Sequence, residues 1–194
     1  MLSRIRDRLG GHEPTLIEDP RVARAAVAVV LHGSDEDVDL LLIQRATRND
    51  DPWSGHIAFP GGRRDPGDPD VVHTAVRETR EEVGIDLRAN GEVLGRLDEL
   101  RAMARHRPLD LVISPIVFAL HAARELRLCE REVDSAIWVP LSFFGSSAAR
   151  GVYRRTLDGV ESEFPAYRYQ RYTVWGLTQR ILEGFLALLD EGPE

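Results

Sequence analysis

The sequence predicts one α/β domain, of the α+β kind, in which strands and helices do not alternate regularly. Three observations predict it. The chain has 194 residues, enough for one well-buried core and short for two. Several strand-length apolar or β-branched runs are separated by Gly, Pro and Asp. Only a few stretches, at 2–9, 71–83 and 174–189, read as helices, and their order among the strands does not suit a doubly wound parallel sheet.

Residues 2–9 read as a short helix ended by Gly10-Gly11, and Pro14 to Pro20 as loop. These form an N-terminal helix and loop, residues 1–22, ahead of a domain expected over 23–194. Ala23 to His32 (ARAAVAVVLH) is a small and β-branched run, the pattern of a buried strand. Gly33 to Asp37 is a turn and Val38 to Arg45 (VDLLLIQR) the returning strand. Ala46 to Ser54 is a polar loop with Pro52, and Ile57 to Phe59 a short strand stopped by Pro60-Gly61-Gly62. Arg63 to Asp70 carries two prolines and a glycine, so it is irregular. Val71 to Val83 is a helix, closed by Gly84.

Glu92 to Leu97, Leu109 to Leu120 and Ser135 to Val139 are further strands. The basic segment Arg101 to Arg107, with His106, falls between strands as a loop, reaching over the site or simply solvated. Gly151 to Arg155 and Phe164 to Tyr169 pair around Leu157-Asp158-Gly159. Val174 to Leu189 closes the chain with apolar residues at helical spacing.

Composition narrows the function classes. Net charge is −7, which leaves no basic footprint for nucleic acid. All 25 basic residues are Arg. One cysteine, Cys129, excludes an intrachain disulfide and reads as a buried small side chain in a reducing compartment. The N-terminus lacks the apolar run of a signal peptide, and the longest apolar runs are strand-length, so the expected setting is cytoplasmic with no membrane contact.

The helix at 71–83 carries the chemistry. At about 100° per residue, Glu78, Glu82 and Glu81 fall near 0°, 40° and −60°, a narrow carboxylate stripe. Val72, Thr79, Val83 and Val76 fall near 100° to 160° and form the face that packs on the sheet. Like charges at these spacings cost about 0.2–0.5 kcal/mol per exposed pair, and more in a cleft. A hard divalent cation such as Mg²⁺ reverses the sign, because it takes oxygen ligands and is held by carboxylates plus substrate phosphate. Arg77 lies beside the stripe, able to orient Glu78. The Pro-Gly-Gly turn lets backbone approach a ligand and can offer a carbonyl to a metal. The alternative is an ordinary solvated acidic face, and spacing alone names no reaction.

The stretch from Phe59 to Ile85, FPGGRRDPGDPDVVHTAVRETREEVGI, resembles the Nudix box, G-x5-E-x7-R-E-U-x-E-E-x-G-U with U apolar. Its tail is Arg77-Glu78-Thr79-Arg80-Glu81-Glu82-Val83-Gly84-Ile85, with Gly62 at its start. Thr79 stands where an aliphatic residue is usual, and the upstream acidic position is Asp68 with one extra residue before Arg77. That variant resembles the coenzyme A diphosphatase branch, FPGG-x-x-D-x-x-D followed by A-x-R-E-x-x-E-E-x-G, matched here through Asp65, Asp68 and Ala75. Leu41-Leu42 with Arg45-Ala46, Trp138-Val139-Pro140-Leu141, and Trp175-Gly176 with Thr178 and Arg180-Ile181-Leu182 extend the likeness. The upstream stretch Thr47 to Ala58 departs from that branch, with Asp50 and Pro52 near the places of an Arg and a His.

The resemblance implies an α/β/α sandwich around a mixed, mostly antiparallel sheet with a loop-helix-loop catalytic motif. It implies a Mg²⁺- or Mn²⁺-dependent diphosphatase acting on a small nucleotide-like molecule, as a monomer or homodimer. On that basis Glu78, Glu81, Glu82 and the Gly61 carbonyl are the expected metal ligands, with Arg77 holding the first glutamate. The general base is a box glutamate or one from a later loop, for which Glu132 and Glu130 are candidates. Arg45, Arg63 and Arg64 are candidate phosphate contacts, Trp53 a candidate stacking surface, and His56 and His106 further contacts. Each of these has a plain surface or packing role as its alternative. Coenzyme A or an acyl-coenzyme A is the leading substrate, giving 3′,5′-ADP and 4′-phosphopantetheine. ADP-ribose, a dinucleotide or a nucleoside triphosphate is the alternative, and a non-catalytic nucleotide-binding domain a third.

Overall fold

The computed structural model describes residues 1–48, 53–104, 107–122, 125–157 and 160–190. Its centre is strand β1 (Ala23–Gly33). This strand runs parallel to β7 (Arg107–Leu120), from the pair Ala23↔Leu111 to His32↔Leu120, and antiparallel to β2 (Val38–Arg45). Alternate residues of β1 enter different cores: Ala25, Val29 and Leu31 on one face, Ala26, Ala28 and Val30 on the other. In β2, Leu40 and Leu42 oppose Leu41 and Ile43 in the same way. Burial on both faces is why these strands read as unbroken apolar runs.

Helices cover both faces. Ile5 and Leu9 of α1 (Leu2–Gly11) join Ile181, Leu182, Phe185 and Leu189 of α5 (Gly176–Asp190) over the first. Ala75 and Val83 of α2 (Val71–Val83) cover the second, continued by Ile85 and by Leu87 of α3 (Leu87–Asn90). The expected α/β/α sandwich is therefore present, and every pairing of the large sheet other than β1 with β7 is antiparallel.

The strands that position the site lie around this frame. β3 (Ile57–Ala58) and β8 (Val133–Pro140) pair with β2, and β4 (Gly61–Arg63) pairs with β1. β5 (Gly91–Arg96) and β6 (Leu100–Ala104) both pair with β7. A short helix, α4 (Leu141–Phe144), leads to a separate antiparallel sheet of β9 (Arg150–Leu157), β10 (Val160–Tyr169) and β11 (Tyr172–Trp175).

Four sequence expectations are corrected. The first helix continues through Gly10 and Gly11 to a cap at His12, whose N–H bonds Leu9. Residues 100–104 form a strand, because Leu100 and Arg101 register with Ile113 and Val112 of β7. Val174 and Trp175 belong to β11, and the last helix starts at Gly176, whose φ of +66° makes the bend. Cys129 is partly exposed rather than buried. Asp50, Pro52, His106 and the turn at Asp158-Gly159 lie outside the described residues. Among the described residues no helix is long and apolar enough to cross a membrane.

Candidate active site

Helix α2 is fixed at both ends. Asp70 caps it, accepting the His73 N–H at 2.8 Å. Gly84 ends it in the left-handed region at φ +75°, and a Cβ there would lie 2.9 Å from the Arg127 side chain. That close approach lets the loop between β7 and β8 take up the helix's last carbonyls: Arg127 N–H donates to Val83 and Cys129 N–H to Glu82, each at 2.9 Å. The same loop then carries Glu132, whose carbonyl accepts the Ala46 N–H at 2.8 Å just beyond β2.

The helical-wheel angles translate into a burial gradient. Glu82, nearest the core face, is 2% exposed; Glu78 is partly buried; the Glu81 side chain is 54% exposed. The core face itself centres on Ala75, Thr79 and Val83, with Val72 and Val76 only partly buried. Thr79 is accommodated because its hydroxyl donates to the Ala75 carbonyl at 2.7 Å. One carboxylate oxygen each from Glu78, Glu82 and Glu132 lie within 4.8 Å of one another. Glu81 is not in that group, and turns instead to Arg77 at 3.0 Å.

Burial pushes the Glu82 carboxyl up to about 8, with the charge of Glu78 adding to it; the Gly61 N–H and Arg45 pull the other way. Glu78 is also raised, first by burial, against the pull of Arg77. Burial thus opposes ionisation of the two helix glutamates that converge here.

The glycine turn is the second wall. Gly61 N–H donates to Glu82 Oε2 at 2.8 Å. Gly61 has φ +154°, and a Cβ on it would lie 2.3 Å from the Ala26 carbonyl oxygen of β1. Gly62 is a different case. Its backbone is unstrained, but a Cβ would lie 2.5 Å from the Glu78 carboxylate. One glycine lets β4 pair with β1, and the next leaves room for a functional side chain.

Arg77 ties the loop to the helix. Its guanidinium donates to both Asp68 oxygens at 3.2 and 3.0 Å, to Glu78 at 2.8 Å, to Glu81 at 3.0 Å and to the Arg63 carbonyl at 3.0 Å. Asp68 is buried and also accepts from the Thr74 hydroxyl and the Asp65 N–H, each at 3.0 Å. Arg77 first, then these donors, hold its carboxyl down at about 2. The Asp65–Asp68 turn itself is closed by an N–H···O bond of 2.9 Å.

The remaining sequence candidates separate. Arg45, Arg63 and Trp53 line an apolar cleft of about 360 Å³ whose walls include Gly61 and Gly62. The glutamates lie across the turn from this cleft and do not line it, so the turn is their shared wall. Arg64 is committed elsewhere, donating to the Asp68 and Pro69 carbonyls. His56 also lines the cleft, its ring 4.7 Å from that of Trp175. Residues that sequence reasoning did not single out lie beyond Trp175: Tyr153 stacked on it at 4.2 Å, Arg155, and Arg171. The only sequence signal for them was the aromatic and Arg alternation in strands flanking an unremarkable turn.

Comparison with known proteins agrees with this geometry. The family model described as NUDIX domain matches residues 22–156. The human mitochondrial coenzyme A diphosphatase NUDT8 (Homo sapiens) is 34% identical over 176 residues, 89% of this chain and 72% of that protein. An uncharacterised protein of Schizosaccharomyces pombe is 49% identical over 106 residues, 53% of this chain; the match spans 32% of that longer protein. The crystal structure of a MutT/nudix family protein from Enterococcus faecalis superposes with a TM-score of 0.54 at 18% identity, covering 98% of this chain and 70% of that one.

Proposed function

Since the chain belongs to the Nudix family, as a pyrophosphohydrolase fold with its box glutamates in place, we propose that it hydrolyses the diphosphate of coenzyme A or an acyl-coenzyme A. The observation that carries the chemistry is the convergence of Glu78, Glu82 and Glu132 at the foot of the glycine turn. The 34% identity to a protein named a coenzyme A diphosphatase, over most of both chains, supports the substrate.

The cluster fits a hard divalent cation. Three carboxylates share one small volume, and one is buried with its carboxyl at about 8, so a cation would restore both charges and solvation. Glu78 and Glu82 would hold Mg²⁺ or Mn²⁺, with the Gly61 carbonyl as a further ligand and Glu81 serving a further ion from its exposed position. When bound, such an ion neutralises the diphosphate and lowers the barrier to attack at phosphorus.

The chain's own residues do the rest. Arg77 holds Glu78 from behind through the Asp68 clamp, so the carboxylate faces the turn. Glu132, exposed at the mouth of the cluster, accepts a proton from the attacking water. The water oxygen bonds to one phosphorus, the bridging P–O bond breaks, and two phosphate monoesters leave. Arg45 and Arg63 flank the turn to receive phosphate oxygens, and Trp53 with the apolar cleft takes the organic part of the substrate.

A panel of coenzyme A, acetyl-coenzyme A, ADP-ribose and NADH, with products identified, tests the reading. Release of 3′,5′-ADP and 4′-phosphopantetheine is expected. Hydrolysis of ADP-ribose or NADH with both coenzyme A compounds untouched would replace the substrate while leaving the chemistry.

A further inference from the structure

The proposed function uses the carboxylate cluster and the cleft, and leaves unexplained a second groove along the small sheet. One face of that sheet carries Tyr153 and Arg155 of β9, Phe164 of β10, and Thr173 and Trp175 of β11, by the register Tyr153↔Phe164 and Ala166↔Trp175. Of these, Tyr153, Arg155, Thr173 and Trp175, with Arg171 and Tyr172, border a groove of about 590 Å³. The groove shares His56, Ile57 and Trp175 with the cleft beside Gly61 and Gly62, so the two adjoin.

Arginines on this sheet fall into two sets. Arg150 and Arg154 are paired with Glu183 and Glu163, and Arg168 donates to the Val152 carbonyl. Arg155 and Arg171 have no carboxylate within 4.0 Å among the described residues. Both are nevertheless held. Arg155 lies 5.7 Å over the Trp175 ring, and Arg171 lies 4.9 Å over Tyr172 while donating to its hydroxyl at 2.8 Å. Aromatic surfaces fix these guanidiniums at the cost of a single Arg171 N–H, so each keeps further N–H groups for an oxyanion. In a chain of net charge −7, two cations without a carboxylate partner among the described residues, beside the proposed substrate cleft, are a local exception.

We infer that Arg155 and Arg171 form a subsite for a phosphate monoester of the substrate, remote from the diphosphate that is cut. The inference rests on the proposed diphosphatase reading and deepens it: these two residues would select a substrate bearing a third phosphate. The succession of glycine turn, His56 with Trp175, and groove suits a ligand carrying diphosphate, nucleoside and monoester in that order.

Two readouts test it on the full-length protein, wild type and Arg155→Gln/Arg171→Gln. The first is kcat/KM with Mg²⁺ on coenzyme A and on dephospho-coenzyme A, which differ only in the 3′-phosphate. The second is calorimetric binding of adenosine 3′,5′-bisphosphate and of AMP in EDTA. The wild type should favour coenzyme A by about ten- to a hundredfold, carried in KM. The double variant should lose that preference with dephospho-coenzyme A turnover unchanged, and the bisphosphate should then bind no better than AMP. A preference that survives both substitutions, or an equal loss on both substrates, overturns the subsite. If neither coenzyme A compound is hydrolysed but the bisphosphate out-binds AMP in an arginine-dependent way, the subsite stands and the substrate reading falls. If coenzyme A is hydrolysed and the bisphosphate has no advantage over AMP, the reverse holds.

Discussion

Replacing Glu82 by Gln should make the metal-free protein more stable while destroying its activity. Glu82 is 2% exposed and its carboxyl is raised from the usual 4.5 to about 8, by burial first and by the neighbouring glutamates. The folded state therefore binds this proton more tightly than the unfolded chain does. The stabilisation is complete below about pH 4.5 and is lost as pH rises through about 8. Between pH 5 and pH 8 the loss is about 3.5 kcal/mol, or about 7–14 °C in Tm for a chain of this size. Glutamine does not titrate, its oxygen can keep the Gly61 N–H bond, and its amide can donate to Glu78 or Glu132. Thermal unfolding in EDTA should accordingly show the variant gaining on wild type from pH 5 to pH 8 and no further above about pH 9. In saturating Mg²⁺ the order should reverse, because only wild type gains binding energy from the ion. A variant that is less stable than wild type in EDTA at pH 8, or a gap that ignores pH, would refute the electrostatic argument.

Glu78→Gln should lower kcat by at least about a hundredfold with an unchanged far-ultraviolet spectrum, whereas Glu132→Gln should lower kcat by a similar factor while Mn²⁺ affinity stays within a few-fold, separating a proton acceptor from a ligand. Gly62→Ala should abolish activity with little change in Tm, since its Cβ meets only the end of the Glu78 side chain at 2.5 Å. Gly61→Ala should instead destabilise the fold by about 2 kcal/mol or more, because its Cβ meets β1 backbone at positive φ; equal Tm values for the two variants would contradict this division. Glu99 is buried, accepts from Ser114, Ile17 N–H and Arg24 at 2.6–2.8 Å, and is lowered because these donors outweigh the upward push of burial. Glu99→Ala should cost about 3–5 kcal/mol at neutral pH by stranding Arg24. That difference should shrink on acidification, as wild type loses the contribution when pH falls through the lowered folded pKa.

Legibility in the sequence followed the range of the interactions involved. The α2 wheel foretold the carboxylate stripe beside the core face, because 3.6-residue periodicity is a local property, and the structure adds its graded burial from Glu82 through Glu78 to Glu81. The two-faced burial of β1 was readable for the same reason, as an uninterrupted apolar run. Thr79 looked like a flaw in the box and is a buried residue satisfied by its own helix. Glu132 was nameable as a candidate, yet its convergence with α2 depends on hydrogen bonds to Val83, Glu82 and Ala46 across distant segments. Arg64 and Arg63 are adjacent and chemically identical in sequence. Only the loop closure sends one to the Asp68 carbonyl and the other to the cleft. The groove of Arg155 and Arg171 was invisible, since it is created by strand pairing that places β9, β10 and β11 on one face beside Trp175.

The most direct measurement is anomalous diffraction from crystals soaked in Mn²⁺. An ion should appear about 2.0–2.2 Å from carboxylate oxygens of both Glu78 and Glu82, beside the Gly61 carbonyl and within reach of a water facing Glu132. Full manganese occupancy elsewhere on the molecule, with these carboxylates bare, would contradict the account.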